Sequence, residues 1–267
     1  MPEPILLIRL EGPLQSWGVR SRWSWRDTGP EPSKSAIIGL LGCAAGISRP
    51  DWRSRTEPDR TLEQWDNALR FGVRVDRPGT IETDYHTVQG RHWQADGKVK
   101  REKTEVKYSG GKWVFWSEIH TEPTWRHYLH DAAFLVALAS DNADLLRKLA
   151  GELDHPDLPG DLKHPKWPPY LGRKACVPSR PILDRLTDEY QDLKSAFETE
   201  PWAAPRSPRE RKSLEIAKRP TRLVAWIECL DGEYERQDAM RLNQFRFYDF
   251  RRCRRIEIDT GSLRRIP

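Results

Sequence analysis

The residues best suited to chemistry fall into a few short clusters. Gly29-Pro30-Glu31-Pro32-Ser33-Lys34-Ser35 leads into an apolar run and has the outline of a phosphate-binding loop. Such a loop needs glycine directly before the lysine, whereas here Ser33 holds that place and Pro30 and Pro32 remove two amides that would wrap a phosphate. Nucleotide hydrolysis is not expected. What survives is a helix N-terminus beside Ser33, Lys34 and Ser35, which favours an anion through its dipole and free amides and serves equally as an ordinary helix cap. His127 and His130 form one HxxH without a carboxylate or cysteine cluster beside them. The four cysteines, Cys43, Cys176, Cys229 and Cys253, stand 133, 53 and 24 residues apart. That spacing gives no CxxC pair, so a metal site, a disulfide framework and a cofactor are not expected.

Three further clusters mix polar, aromatic and cationic groups. Gln15, Ser16 and Trp17 follow the end of an apolar run, at a loop of the sort that often carries function. Thr83 to Gly90 brings Tyr85, His86, Thr87 and Gln89 together just ahead of Arg91, and Tyr170 to Cys176 sets Gly172, open to close backbone approach, beside Arg173 and Lys174. Single-stranded RNA offers phosphates, bases and 2′-hydroxyls, and cations, aromatic rings and hydrogen-bonding groups answer all three.

Charge along the chain fits the same partner without deciding for it. Residues 236–267 hold nine Arg and four acids, 9 − 4 = +5, which is the whole formal net charge of the 267-residue chain. The remainder is balanced, 45 − 9 = 36 basic against 40 − 4 = 36 acidic residues. A solvated arginine-rich surface and a polyanion-binding surface both agree with this distribution.

These clusters must be positioned by elements, and the hydrophobic pattern outlines them. Ile5 to Leu10 reads as a buried first strand ending at Gly12-Pro13, and Ser33 or Ser35 caps a helix running to about Ile47. Phe71 to Val75 and Ala133 to Ala139 read as core strands, Asn142 to Leu153 as an amphipathic helix, Leu223 to Cys229 as a later strand, and Pro208 to Lys218 as a helix-prone connection. Between Arg77 and Glu122 the chain turns polar and basic, with turns at Ala95 to Gly97 and Ser109 to Gly111 and a strand at Lys112 to Trp116, the profile of an inserted hairpin arm. The order predicts an α+β sandwich of the split βαβ kind. The longest apolar run, Ala36 to Ile47, is 12 residues long, short of the roughly 20 a membrane span requires. No signal peptide is visible, so a cytoplasmic location without membrane contact is expected.

Taken in order, GPLQSWG at 12–18, PSKSAIIGLLGCAAGI at 32–47, DYHTVQG at 84–90 and YLGRKAC at 170–176, with WRHYLHDAAFLVAL at 125–138 in support, resemble the CasD family of type I-E CRISPR Cascade subunits. The resemblance spans most of residues 5–180; it is weak beyond 181, and the arm between Gly90 and Trp125 diverges. It implies a modified RNA-recognition-motif (ferredoxin-like) domain with a β-hairpin thumb and additional C-terminal β structure. The core would comprise residues 1–76 and 123–235, the thumb 77–122 and an arginine-rich segment 236–267.

The function implied is non-catalytic. The protein would hold the 5′ handle of CRISPR RNA, cap the backbone assembly, contact the backbone subunits and the large subunit, turn out a guide nucleotide with the thumb, and meet target DNA through the complex. Gln15, Ser16 and Trp17 would read the handle, and Lys34 and Ser35 would take a phosphate. Tyr85, His86, Thr87, Gln89 and Arg91 would lie at the thumb base, and Arg173 and Lys174 on the opposite lip. The alternative is a metal-independent endoribonuclease of CRISPR repeat RNA, as in related type I-C members, using Tyr85, His86 and Lys34 as base, acid and charge stabiliser.

Overall fold

A computed structural model of the chain describes residues 3–19, 24–47, 61–91, 98–99, 102–108, 110–117, 119–154, 165–202, 220–241 and 247–264. The expected turn at Ala95 to Gly97 and the helix-prone stretch Pro208 to Lys218 lie outside them.

Seven antiparallel strands form the main sheet. In spatial order they are β10 (Leu183–Thr187), β1 (Ile5–Glu11), β9 (Ala133–Ala139), β4 (Arg70–Arg77), β11 (Arg222–Glu228), β13 (Phe247–Asp259) and β12 (Tyr234–Arg241). Helix α1 (Lys34–Ala44) joins β1 to the β4 side, and α3 (Ala143–Leu153) joins β9 to β10. The order β10-β1-β9-β4 is that of two interleaved βαβ units, so the fold is α+β and consistent with a ferredoxin-like core.

Period-two alternation divides the core between the faces of this sheet. Leu6, Ile8 and Leu10 of β1 pack with Phe71, Val73, Phe134, Val136 and Leu138 under α1, α2 (Thr61–Ala68) and α3. Ile5 and Leu7 instead join Leu135, Ala137, Leu223 and Ala225 under the short α4 (Leu193–Thr199). β1 and β9 are buried on both faces, which is why each reads as a continuous apolar run. The exceptions are Glu11 at the end of β1 and Arg9, 2% exposed, whose guanidinium pairs with Asp184 and Glu200 at 3.3 Å. Arg74, fully buried, donates to Asp76 at 2.6 Å and to the Phe197, Glu200 and Pro201 carbonyls. A buried charge is tolerated only when its partners are this complete.

The arm grows out of the centre of this sheet. β4 and β9 pair as far as Arg77 and Ala133; both chains then leave the sheet through Gly79 and Asp131, each with positive φ, and resume as β5 (Thr80–Arg91) and β8 (Ile119–His130). A Cβ on Gly79 would stand 2.5 Å from the His130 carbonyl oxygen, so the exit admits only glycine there. The ribbon's second strand runs to His130, past the boundary at 122 expected from sequence. Beyond Arg91, β6 (Glu102–Tyr108) and β7 (Gly111–Ser117) pair as a hairpin. The arginine-rich C-terminal segment supplies β13 and most of β12 to the main sheet. No helix among the described residues is long and apolar enough to cross a membrane.

Candidate nucleic-acid interface

A second, small sheet forms where the ribbon leaves the core. β8 pairs with β5 along its length, with β2 (Leu14–Gln15) at its core end, and in parallel with β3 (Trp25–Arg26), so that Trp25 lies opposite Trp125 and Arg26 opposite Arg126. Residues directly opposite share a face. These two Trp-Arg dipeptides, Trp25-Arg26 and Trp125-Arg126, a hundred residues apart in sequence, therefore place indole beside indole on one face and guanidinium on the other.

The aromatic face carries Trp25, Trp125 and Tyr85 as a row across the three strands, 45%, 37% and 60% exposed. Trp25 stacks on Trp125 with centroids 6.2 Å apart, and Tyr85 meets Trp125 edge-on at 5.5 Å. His127 abuts Trp25 edge-on at 4.9 Å, and its Nδ1 lies 3.1 Å from Asp27 Oδ1. Along β5 the same face presents Thr83, Thr87, Gln89 and Arg91, all exposed. Gln89 donates to Thr121 Oγ1 at 3.3 Å. Neither β5 nor described β8 residues put a carboxylate on this face, because Glu82, Asp84 and Glu122 sit at the alternate positions.

The opposite face carries arginines together with the carboxylates Glu82, Asp84 and Glu122. Arg126 Nε donates to Thr124 Oγ1, and the Arg173 guanidinium lies over the Tyr128 ring at 4.9 Å and donates to the Arg26 carbonyl at 3.1 Å. Arg173 Nη1 is buried without a hydrogen-bond partner in the protein, and Lys174 beside it is exposed. His86 lies on this face too, 3.8 Å from Asp84.

The other residues singled out from sequence are spent inside the protein. Gln15 is fully buried: its amide donates to the Leu10 and Ala132 carbonyls, and its oxygen accepts from the Trp17 indole at 3.1 Å. Ser16 and Trp17 are each 2% exposed; Ser16 donates to the His127 carbonyl, and the Trp17 amide donates to Thr28 Oγ1. The Ser16 amide donates to the Leu171 carbonyl, while Gly172, at φ +96°, lies so close that a Cβ there would fall 1.7 Å from the Ser16 oxygen. GPLQSWG and YLGRKAC thus lock together behind the small sheet, and Gln15, Ser16 and Trp17 have no side-chain surface with which to read a base.

Lys34 differs from expectation in the same way. It is the first residue of α1 and 3% exposed; its Nζ pairs with Glu228 at 2.9 Å and its amide donates to Asp238 Oδ2 at 2.8 Å. The anion at this helix N-terminus is therefore Asp238, itself held by Arg251 at 2.6 Å. Ser33 caps the helix by accepting from the Ala36 amide, and Ser35 sits 3.2 Å from the Ser33 hydroxyl. The helix-cap alternative is the one the geometry favours, and the site is closed to a phosphate. The HxxH pair is on a strand, so His127 and His130 point to opposite faces. No group of three or more metal-ligating side chains occurs among the described residues.

Residues 5–247 match the family model for CRISPR-associated protein (Cas_Cas5). The chain belongs to that family. Over 205 residues it is 31% identical to the CRISPR system Cascade subunit CasD of Escherichia coli (strain K12), covering 73% of this chain and 77% of that one. Among solved structures it is similar to a chain of a CRISPR RNA-guided surveillance complex (TM-score 0.65, 28% identity, 97% of this chain and 92% of that one). It is also similar to a crystal structure of a Cas protein (TM-score 0.58, 30% identity, 97% of each chain).

For a CasD-family chain the question of nuclease chemistry is answered by where the candidates stand. Tyr85 and His86 are successive strand residues and point to opposite faces, while Lys34 is sealed at the start of α1 in its ion pair with Glu228 of the main sheet. The three cannot converge on one phosphate, and a base and acid must both reach the scissile bond. The arginine-rich segment is likewise built into the CasD fold. Arg236, Arg251 and Arg254 pair with Glu31, Asp238 and Asp231 at 2.6 Å, and Arg255 and Arg264 with Glu257 and Glu189 at 3.0 and 2.9 Å. Arg241 and Arg252 lie 3.7 and 3.8 Å from Asp249 and Glu235. Glu31, Glu189, Asp231 and Glu235 belong to the rest of the chain, so Arg236, Arg252, Arg254 and Arg264 of this segment meet acids from outside it.

The residues that sequence reasoning missed are Trp25, Arg26, Trp125 and Arg126. The Trp-Arg dipeptide occurs three times, at 25, 52 and 125, and only the fold shows that the first and third are neighbours.

Proposed function

We propose that this chain is the non-catalytic subunit that holds the 5′ handle of CRISPR RNA in a type I-E surveillance complex. The ferredoxin-like core would be a modified RNA-recognition motif made of residues 1–76 and 131–235, the thumb would run from 77 not to 122 but to the end of the ribbon at 130, and 236–267 would be a strand-forming segment. The observation that carries the reading is the two-faced small sheet at the thumb base of a CasD-family chain. One face has exposed rings, hydroxyls and amides with no carboxylate from β5 or described β8, Asp27 lying against His127 beside it; the other has Arg26, Arg126 and Arg173 among Glu82, Asp84 and Glu122, and Lys174 is exposed next to Arg173 in sequence. Tyr85, Thr87, Gln89 and Arg91 would meet the handle directly, and His86 from the reverse face. Gln15, Ser16 and Trp17 would hold the sheet in place. Backbone and large subunits would be its protein neighbours, target DNA would be met through the complex, and the cytoplasm would be its location.

Salt dependence of handle binding tests the phosphate half of this reading. Removing one cation from a single-strand phosphate lowers the slope of log affinity against log salt by about 0.7. Arg173→Ala and Lys174→Ala are expected to lower it by that amount each, and unchanged slopes in both would remove these residues from the RNA surface.

A further inference from the structure

The row Trp25, Trp125 and Tyr85 is large, apolar and open to solvent on three adjacent strands. A soluble surface rarely leaves such a contiguous patch unused. None of the three rings fills a gap in the core: both core clusters form without them. What surrounds the row selects among partners. The same face adds Thr83, Thr87, Gln89 and Arg91 and no carboxylate from either long strand, while the reverse face carries Arg26, Arg126 and Arg173 together with Glu82, Asp84 and Glu122. Among the described residues β3 pairs only with β8, so a chain crossing the β3 edge reaches both faces.

We propose that Trp25, Trp125 and Tyr85 form a stacking platform for unpaired bases of the RNA handle, accepting them by their π-faces and not by base identity, with the reverse-face arginines taking the phosphates. The proposal rests on the handle-binding reading and adds to it the mode of recognition. Aromatic rings on a sheet hold successive bases in a sequence-tolerant way because every base has a π-face. Trp25 and Trp125 stack on each other at 28°, so the faces they offer a base are those turned away from that contact.

The test titrates the full chain with a labelled single-stranded repeat RNA and with the same RNA made abasic in the handle. Trp25→Ala and Trp125→Ala are each expected to weaken binding of the natural RNA by roughly 5- to 100-fold while leaving the abasic RNA and the salt slope unchanged. Trp125→Phe should retain most of the affinity, which separates loss of a ring from loss of the fold. Exchanging the handle bases should change affinity little. Equal losses on natural and abasic RNA would overturn stacking. So would variants that bind RNA like the wild type but fail to co-purify with the other complex subunits, the result expected of a protein-docking surface. A wild-type chain that holds no repeat RNA would overturn the handle reading and stacking together, an outcome distinct from a wild type that binds and aromatic variants that bind equally well.

Discussion

At Lys34 a residue type suited to phosphate has been committed to structure. Its ammonium is sealed against Glu228, and its backbone amide against Asp238. Lys34→Ala leaves Glu228 without its cation, so we expect a loss of about 2 to 3 kcal/mol, below the usual cost of breaking a buried pair because Glu228 keeps some solvent contact. Urea denaturation measures that loss, and the salt dependence of RNA binding should not move. Gly172 is the stricter case: positive φ and a 1.7 Å approach to the Ser16 oxygen exclude any Cβ. Gly172→Ala should cost on the order of 3 kcal/mol and loosen the junction of GPLQSWG with YLGRKAC. His86, exposed and turned away from Tyr85, is expected to act as a contact at most. His86→Phe should leave repeat RNA uncut, as in the wild type, and reduce handle affinity by no more than about 1 to 3 kcal/mol, the scale of one base contact.

At the scale of elements, the docking of α1 and α2 onto the C-terminal strands carries a pH dependence. Asp66 of α2 accepts from the Met240 amide of β12 at 3.1 Å. Burial pushes its carboxyl up to about 6, with Glu228 and Asp238 adding to the rise while Lys34 and the Met240 amide oppose it. The ordinary value is 3.8, so between about pH 4 and 6 the folded state binds more protons than the unfolded one, and the contribution of this group to stability falls as pH rises through that window. Asp66→Asn keeps an acceptor for Met240 and removes the ionisation. It should flatten that slope and stabilise the protein at pH 7.5 by up to about 3 kcal/mol, measured as urea midpoints at pH 4.5 and 7.5. The ribbon is a separable element in a different sense. Of the described β5 and β8 residues the core clusters take only Tyr128 and Leu129, so replacing residues 90–122 by a short Gly-Ser turn should leave a cooperative unfolding transition at nearly the wild-type midpoint.

Which elements the sequence disclosed follows from what buries them. β1, β9 and α3 were legible because burial on two faces, or on one helical stripe, writes itself into the apolar pattern. β13 was not, since Arg251 to Ile258 interrupts its Cys and Ile with paired charges and gains most of its partners from other strands and turns. α2, β10 and α4 were missed because their burial comes from tertiary contacts that short, mixed sequences do not announce. The site was half legible. Tyr85, Thr87, Gln89 and Arg91 share an exposed face as their spacing of two implies, whereas Gln15, Ser16 and Lys34 have polar atoms with partners far along the chain, and Trp17 is buried against Gln15 and Thr28.

At the scale of the whole molecule, two ionic networks brace the sheet from opposite ends. Arg9 and Arg74 join β1 and β4 to α4 through Asp76, Asp184 and Glu200. Lys34, Glu228, Asp238 and Arg251 join α1 to β11, β12 and β13. Between them the central strands run out into the ribbon, so a rigid core presents the small sheet and its rings at a fixed place. A surface so placed is expected to grip the 5′ handle without cutting it. The direct measurement is chemical footprinting of the CRISPR RNA in the complex assembled with and without this chain, with the length of the RNA read in the same lanes. Protection of the handle nucleotides that appears only when the chain is present, on RNA of unchanged length, is the predicted result. Handle nucleotides equally reactive in both assemblies, or RNA shortened by this chain alone in the presence of EDTA, would contradict it.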